Sequence, residues 1–257
     1  MYLFSPLEQF QILPYFGYRL EFGSTFIDFS FTTGSMIILL ALGAYLTLMA
    51  MLLSPGGSFY LVPSRWQIVI ETFYETIANM LYDNLGVRGQ QYFPFVFVLF
   101  MFVLLSNLIG LVPYSFTITS HLIVTFALAL MVFYGVNVIC LKEHGAHMGS
   151  LFLPPGTSLG LALLLVPIEF VSYMFKPISL GVRLFANMMA GHTLLKVIAG
   201  FAWSMMDAGG ILIYWAHFVP LAVLVLLVGL ELGVAMIQAY VFTILTCIYL
   251  NDAINLH

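Results

Sequence analysis

Charge is what this sequence has least of. Only 7% of its 257 residues are Asp, Glu, Lys or Arg, against ~25% in an ordinary soluble chain. Seven basic and 11 acidic side chains cannot clothe a globule of this size in water-facing groups. That excludes a soluble domain, a disordered chain and a nucleic-acid binder. A net charge of -4 offers no footprint for a polyanion. Cysteine is nearly absent too. Cys140 and Cys247 both lie inside apolar runs, which argues against a disulfide framework or a zinc site. No G-x-x-x-x-G-K-[ST] or H-E-x-x-H occurs, so neither a phosphate-binding loop nor a zinc hydrolase is indicated. Residues 1–33 lack a basic start and a small-residue cleavage site, so they do not read as a signal peptide. What remains is apolar: 62% hydrophobic residues and a mean hydropathy of +1.07. The expectation is an all-α polytopic membrane protein, a single integral membrane domain over 1–257.

A bilayer core ~30 Å thick asks for about 20 apolar residues per helix. The first such run is 34–53, after a tail over 1–33, and it stops at the turn Ser54-Pro55-Gly56-Gly57. Residues 89–141 hold no Asp, Glu, Lys or Arg, yet one helix of that length would reach ~80 Å. The break at Val112-Pro113-Tyr114-Ser115, running on to Ser120, therefore divides a two-span hairpin over 92–141. Between these lies 65–85, where Trp66, Val69, Phe73, Ile77, Met80 and Leu81 recur at helical spacing. Glu71, Glu75 and Asn79 fall on another face. That is an amphipathic helix suited to the membrane interface. Arg65, Arg88 and Lys142 together place this helix inside and the N-terminus outside.

The C-terminal stretch 159–250 is apolar but carries charges. Two ordinary spans fit in 159–201 and two more in 211–250, with Pro177 and the Pro220 region as the only breakers toward the middle of either stretch. Two very long helices of ~60 Å, tilted or nearly in the membrane plane, fit as well. Composition leaves both open.

A charged group at the bilayer centre costs roughly 2.5–3.5 kcal/mol on insertion scales, so such residues point to function. Lys176, Arg183 and Lys196 are spaced too irregularly for a voltage sensor. Arg183 sits among Gly181, Ala186, Asn187, Ala190 and Gly191, small or polar residues that let another helix approach. Its guanidinium stays charged in a poor dielectric. It can attract a passing carboxylate but cannot relay a proton. A bland alternative is an ion pair with Glu169. Further on, Glu231, Gln238 and Asp252 are spaced by 7 and 14 residues and stay within ~60° on a helix. Such a stripe suits a proton or ion path, and Gly229 and Gly233 beside Glu231 would admit a neighbouring helix. His192 can titrate near neutral pH. His144 and His147, in a loop, form a weak metal pair. His121 and His217 suit hydrogen bonds at span ends or between helices.

The run from Lys176-Pro177-Ile178-Ser179-Leu180-Gly181-Val182-Arg183 through Leu184-Phe185-Ala186-Asn187 to Ala190-Gly191-His192 closely resembles the signature of the subunit a family of the F-type ATP synthase membrane sector. Leu230-Glu231-Leu232-Gly233, Gln238-Ala239-Tyr240-Val241-Phe242 and Tyr249-Leu250-Asn251-Asp252 resemble the same family's last helix. Ser106-Asn107-Leu108-Ile109-Gly110-Leu111-Val112-Pro113 matches more loosely. The resemblance implies one N-terminal span, an interfacial helix, a hairpin of two spans, and two long tilted helices against a rotating c-ring. It implies a stator subunit that carries protons through two half-channels without catalysing ATP formation. Arg183 matches the family's rotor-facing arginine, the barrier between half-channels. Asn187, His192, Glu231 and Gln238 match the half-channel open to the intermembrane space, and Glu169 and Asp252 the one toward the matrix.

Many bacterial members carry Glu first and His second at the His192 and Glu231 positions. The order here resembles mitochondrial and alphaproteobacterial members, implying the mitochondrial inner membrane or an alphaproteobacterial plasma membrane. The implied partners are c-ring subunits, the peripheral stalk, other membrane-sector subunits and lipid. No metal, cofactor or nucleic acid is implied. Without the resemblance, the competing reading is a secondary transporter with Glu231 and Arg183 at a midplane site.

Overall fold

The computed structural model describes residues 7–22, 25–52, 65–112, 115–145, 159–207 and 215–255. The turn at 54–57, Pro113, Tyr114 and His147 lie outside the described residues. Among the described residues, two nested antiparallel strand pairs precede the helices. β1 (Pro14–Phe16) pairs with β4 (Phe31–Thr32), and β2 (Arg19–Phe22) with β3 (Thr25–Asp28). Nothing in the apolar pattern of 1–33 announces them.

Six α-helices follow among the described residues: α1 (Thr33–Leu52), α2 (Arg65–Leu85), α3 (Phe93–Gly110), α4 (Leu122–His144), α5 (Leu159–Asp207) and α6 (Phe218–Ile254). Five helical stretches among the described residues are long and apolar enough to cross a bilayer, one of them joining α2 and α3. The chain is an all-α polytopic membrane protein. Each boundary has a local cause. Ser35 Oγ accepts from the Thr32 amide at 2.9 Å and donates to the Thr32 carbonyl at 2.7 Å, closing the entry to α1. Gly86 and Gly145, at φ +63° and +54°, end α2 and α4 in the left-handed conformation that glycine adopts without strain.

α2 spans the residues its periodicity marked, but its buried face is turned slightly. Ile70, Ile77, Met80 and Leu81 are buried, whereas Val69 is 45% exposed. Glu71, Glu75 and Asn79 are exposed as their spacing requires. The C-terminal choice resolves in favour of long helices. α5 runs unbroken for 49 residues through Pro167 and Pro177, and α6 for 37. Those lengths are about 74 Å and 56 Å, well over one bilayer core. Proline is tolerated inside membrane helices where local adjustments and neighbours satisfy the freed carbonyl.

The chain divides into two compact units. The first comprises Met1–Thr47, Phe102–His121 and Phe185–Gln238; the second comprises Leu48–Met101, Leu122–Leu184 and Ala239–His257. In the first, the Asn107 amide donates to the Ala235 carbonyl at 3.4 Å, joining α3 to α6. The second carries an aromatic seam, with Tyr74 4.6 Å from Phe93 and Phe73 6.0 Å from Phe100. There Gly181 lets α5 meet the α4 backbone: a Cβ at this position would lie 3.2 Å from Phe126 Cα and Thr125 O. Lipid is as apolar as leucine, so such packing rests on close van der Waals fit and hydrogen bonds, and small residues sit where backbones meet.

Candidate functional site

Buried hydroxyls on α6 show the ordinary solution to polarity in an apolar helix. Thr243 and Thr246 donate to the carbonyls of Ala239 and Phe242, one turn back, at 2.8 and 2.9 Å. Glu231 does not have that recourse. It is 5% exposed, and neither carboxylate oxygen has a hydrogen-bond partner among the described residues. The His192 imidazole stands beside it, with Nδ1 3.7 Å from Oε1. The approach depends on Gly191, where a Cβ would fall 2.6 Å from Glu231 Oε1. Gly229 and Gly233, expected to admit a neighbour, have nothing within 4 Å of a Cβ. The glycine that matters here is on the opposite helix.

On its other side the His192 imidazole meets Thr117 Oγ1, 3.1 Å from Nε2. Asn187 donates to Gln238 Oε1 at 2.8 Å. All four residues matched to one half-channel thus form two contacts within the first compact unit: His192 with Glu231, and Asn187 with Gln238. A carboxyl and an imidazole can exchange a proton once a gap of this size closes to hydrogen-bond distance or is bridged by one water.

The second unit holds a different site. Lys176 Nζ lies 2.9 Å from Asp252 Oδ2, between the rings of Tyr173 and Tyr249, whose centroids are 5.4 and 5.0 Å away. Tyr173 Oη in turn donates to Asn137 Oδ1 at 2.6 Å. Asp252 therefore has a lysine partner, and Glu169, grouped with it from the sequence, stands exposed outside this contact. Arg183 is also exposed. Among the described residues no carboxylate lies within salt-bridge distance of it, so the pairing with Glu169 does not form. A guanidinium facing outward from an apolar helix is costly against lipid, which favours a protein partner on that face.

Thr117, Lys176, Tyr173 and Asn137 were not among the residues singled out as half-channel groups. The signal for Thr117 was present: the hydroxyl-rich run Ser115-Phe116-Thr117-Ile118-Thr119-Ser120 is more than a turn, since Thr117, Thr119 and Ser120 are all buried. His121 stacks on Phe116 at 4.9 Å, and His217 is buried against Phe218 at 4.4 Å. His144 Nε2 contacts the Ile254 carbonyl at 3.0 Å, at the C-terminal end of α6. No group of three metal-ligating side chains occurs among the described residues.

Residues 33–251 match the family described as ATP synthase A chain. The chain belongs to that family, subunit a of the F-type ATP synthase membrane sector. It is 60% identical over 253 residues to "ATP synthase subunit a" of Pylaiella littoralis, covering 98% of this chain and 99% of that one. It is 50% identical over 256 residues to the protein of the same name from Chondrus crispus, covering 98% of this chain and 97% of the relative. The Marchantia polymorpha relative, also "ATP synthase subunit a", is 47% identical over 256 residues, with 98% and 99% covered. The likeness to these subunit a proteins covers 98% of the chain, the N-terminal strands included.

Proposed function

We propose that the chain is the stator subunit of the rotary ATP synthase membrane sector. As one integral membrane domain it forms two proton half-channels that load and unload the carboxylates of a c-ring. It thereby couples proton flow to ATP synthesis and is not itself a catalyst. The observation that carries this reading is the buried contact between His192 and Glu231, an exchangeable-proton pair in an otherwise apolar setting. Asn187 and Gln238 continue its polar lining toward the intermembrane space. On the matrix side, Asp252 and Glu169 supply carboxylates, with Asp252 held by Lys176. Arg183 faces the rotor, keeps an arriving carboxylate ionised, and blocks direct proton slip between half-channels, because guanidinium does not give up its proton.

The partners are the c-ring, the peripheral stalk, other membrane-sector subunits and lipid. The location is the mitochondrial inner membrane, with the N-terminus on the intermembrane side and the two long helices tilted. A proton falling through 100 mV releases about 2.3 kcal/mol, which is harnessed only if protons must ride the rotor. The test is Arg183→Ala in the whole complex, reconstituted in vesicles. ATP-driven proton pumping should vanish while the complex remains assembled, with passive leak through the membrane sector altered. Normal pumping would overturn the assignment.

A further inference from the structure

We infer that Thr117 is a positioning residue for His192, a reversible hydrogen-bond partner that holds the imidazole in place whether or not Nε2 carries a proton. The inference deepens the proposed proton path and rests on it. Thr117 is 3% exposed and lies on the connection between α3 and α4, 75 residues from His192. Its Oγ1 has two polar neighbours: His192 Nε2 at 3.1 Å and the Gly110 carbonyl at 3.3 Å.

A hydroxyl has one hydrogen to give and lone pairs to receive. When Nε2 is bare, Thr117 donates to it. When Nε2 carries hydrogen, in the alternative tautomer or the imidazolium, Nε2–H donates to Oγ1 and the hydroxyl hydrogen turns to the Gly110 carbonyl. The imidazole therefore keeps a partner in each state, and Nδ1 stays aimed at Glu231. A proton passing from the Glu231 carboxyl to Nδ1 leaves carboxylate and imidazolium; the return step restores both neutral groups. No third reactant is needed.

Two further features fit this device. Gly110 makes room for it, since a Cβ there would lie 2.7 Å from Thr117 Cγ2 and 3.1 Å from Oγ1. The imidazole has few other partners to choose from. Glu231 faces it from α6 and Thr117 from the α3–α4 connection. Among the described residues no other charged or titratable side chain bonds to it.

The experiment compares Thr117→Val, Thr117→Ser and Glu231→Gln in the intact complex in vesicles, recording ATP-driven proton pumping across a range of pH. Thr117→Val keeps the shape and removes the hydroxyl. Its pumping should fall roughly tenfold, the scale of one hydrogen bond to a charged group, and the pumping-versus-pH curve should move toward lower pH. Thr117→Ser should restore both rate and curve. A merely structural Thr117 would move the rate without the curve, or leave Ser as damaged as Val, and either result overturns the inference. If Thr117→Val fails to assemble, Thr117→Ala is read by the same criteria. Normal pumping by Glu231→Gln would overturn the proton path itself. A dead Glu231→Gln beside an unaltered Thr117→Val would overturn the Thr117 inference alone.

Discussion

The two compact units solve the problem of polarity in an apolar chain in opposite ways. In the first, Glu231 is buried beside His192 at 3.7 Å, with no hydrogen-bond partner for its oxygens among the described residues. In the second, Asp252 is tightly engaged by Lys176 at 2.9 Å, and both side chains stay partly open, at 38% and 27% exposure. A cation–carboxylate pair with two tyrosine faces on the lysine is a settled arrangement. A carboxyl and an imidazole held just beyond hydrogen-bond distance are poised for exchange. The contrast teaches that a charged residue in a membrane helix is informative chiefly through its partner. Glu231 and Asp252 look alike as carboxylates on α6 and differ entirely in what surrounds them.

The largest expected effect lies in the first unit. Glu231→Gln removes the exchangeable proton and should lower ATP-driven pumping by about two orders of magnitude or more, the usual worth of a positioned acid–base group. Exchanging the two residues, as His192→Glu with Glu231→His, should recover part of that loss if they act as one unit. A double variant no better than the single one would break that half of the comparison.

Next comes Gly191→Ala, whose added methyl falls on the Glu231 carboxylate. Pumping should drop sharply while thermal stability changes little, because the clash is with a side chain. Gly181→Ala, which meets α4 backbone, should do the reverse: overpacking of this kind costs about 1–3 kcal/mol and would show as a lower melting midpoint of the assembled complex. Equal behaviour of the two variants would erase the distinction between a functional and a packing glycine.

Smaller still is Tyr173→Phe, which deletes the 2.6 Å hydrogen bond to Asn137. It should cost about 1 kcal/mol of stability, read from the same melting curve. Lys176→Met should be smallest, about 1 kcal/mol or less, because the pair it breaks is partly open and, in the proposed reading, is screened by water in the matrix-side half-channel. A loss of stability from Lys176→Met greater than that from Gly181→Ala would show that the second site is more than a surface-type pair.

Much of this was legible in the residues. The charge-free stretch 89–141 and the break after Leu111 are local features, and α3 and α4 follow from them within a few positions. The spacing of Ile77, Met80 and Leu81 marked the buried side of α2, although Val69 was assigned to it and Ile70 was not. That error is the size expected when a helix face is drawn from apolar residues alone, since valine and isoleucine count equally whichever way they point. The N-terminal strands were not legible, because segments of two to four residues are too short to show the alternation that marks a strand. Pro177 was misleading as a breaker: its cost is set by whether a neighbour satisfies the freed carbonyl.

The candidate site divides along the same line. Arg183, Glu231 and His192 stand out in one dimension because each is an expensive group in an apolar run. Thr117 does not, because a threonine in a turn is unremarkable until an imidazole 75 residues away is found against it. By itself the sequence determined that this chain lives in a membrane, which segments are helical, and which side chains are too costly to be incidental, since hydropathy and helical period are properties of neighbouring residues. Only the tertiary structure decided that α5 and α6 are unbroken, that Asp252 pairs with Lys176, and that Glu231 faces His192, which meets Thr117 on its other side. The approach of His192 to Glu231 depends on Gly191, and that of α5 to the α4 backbone on Gly181, where the absence of a single methyl lets segments distant in sequence meet.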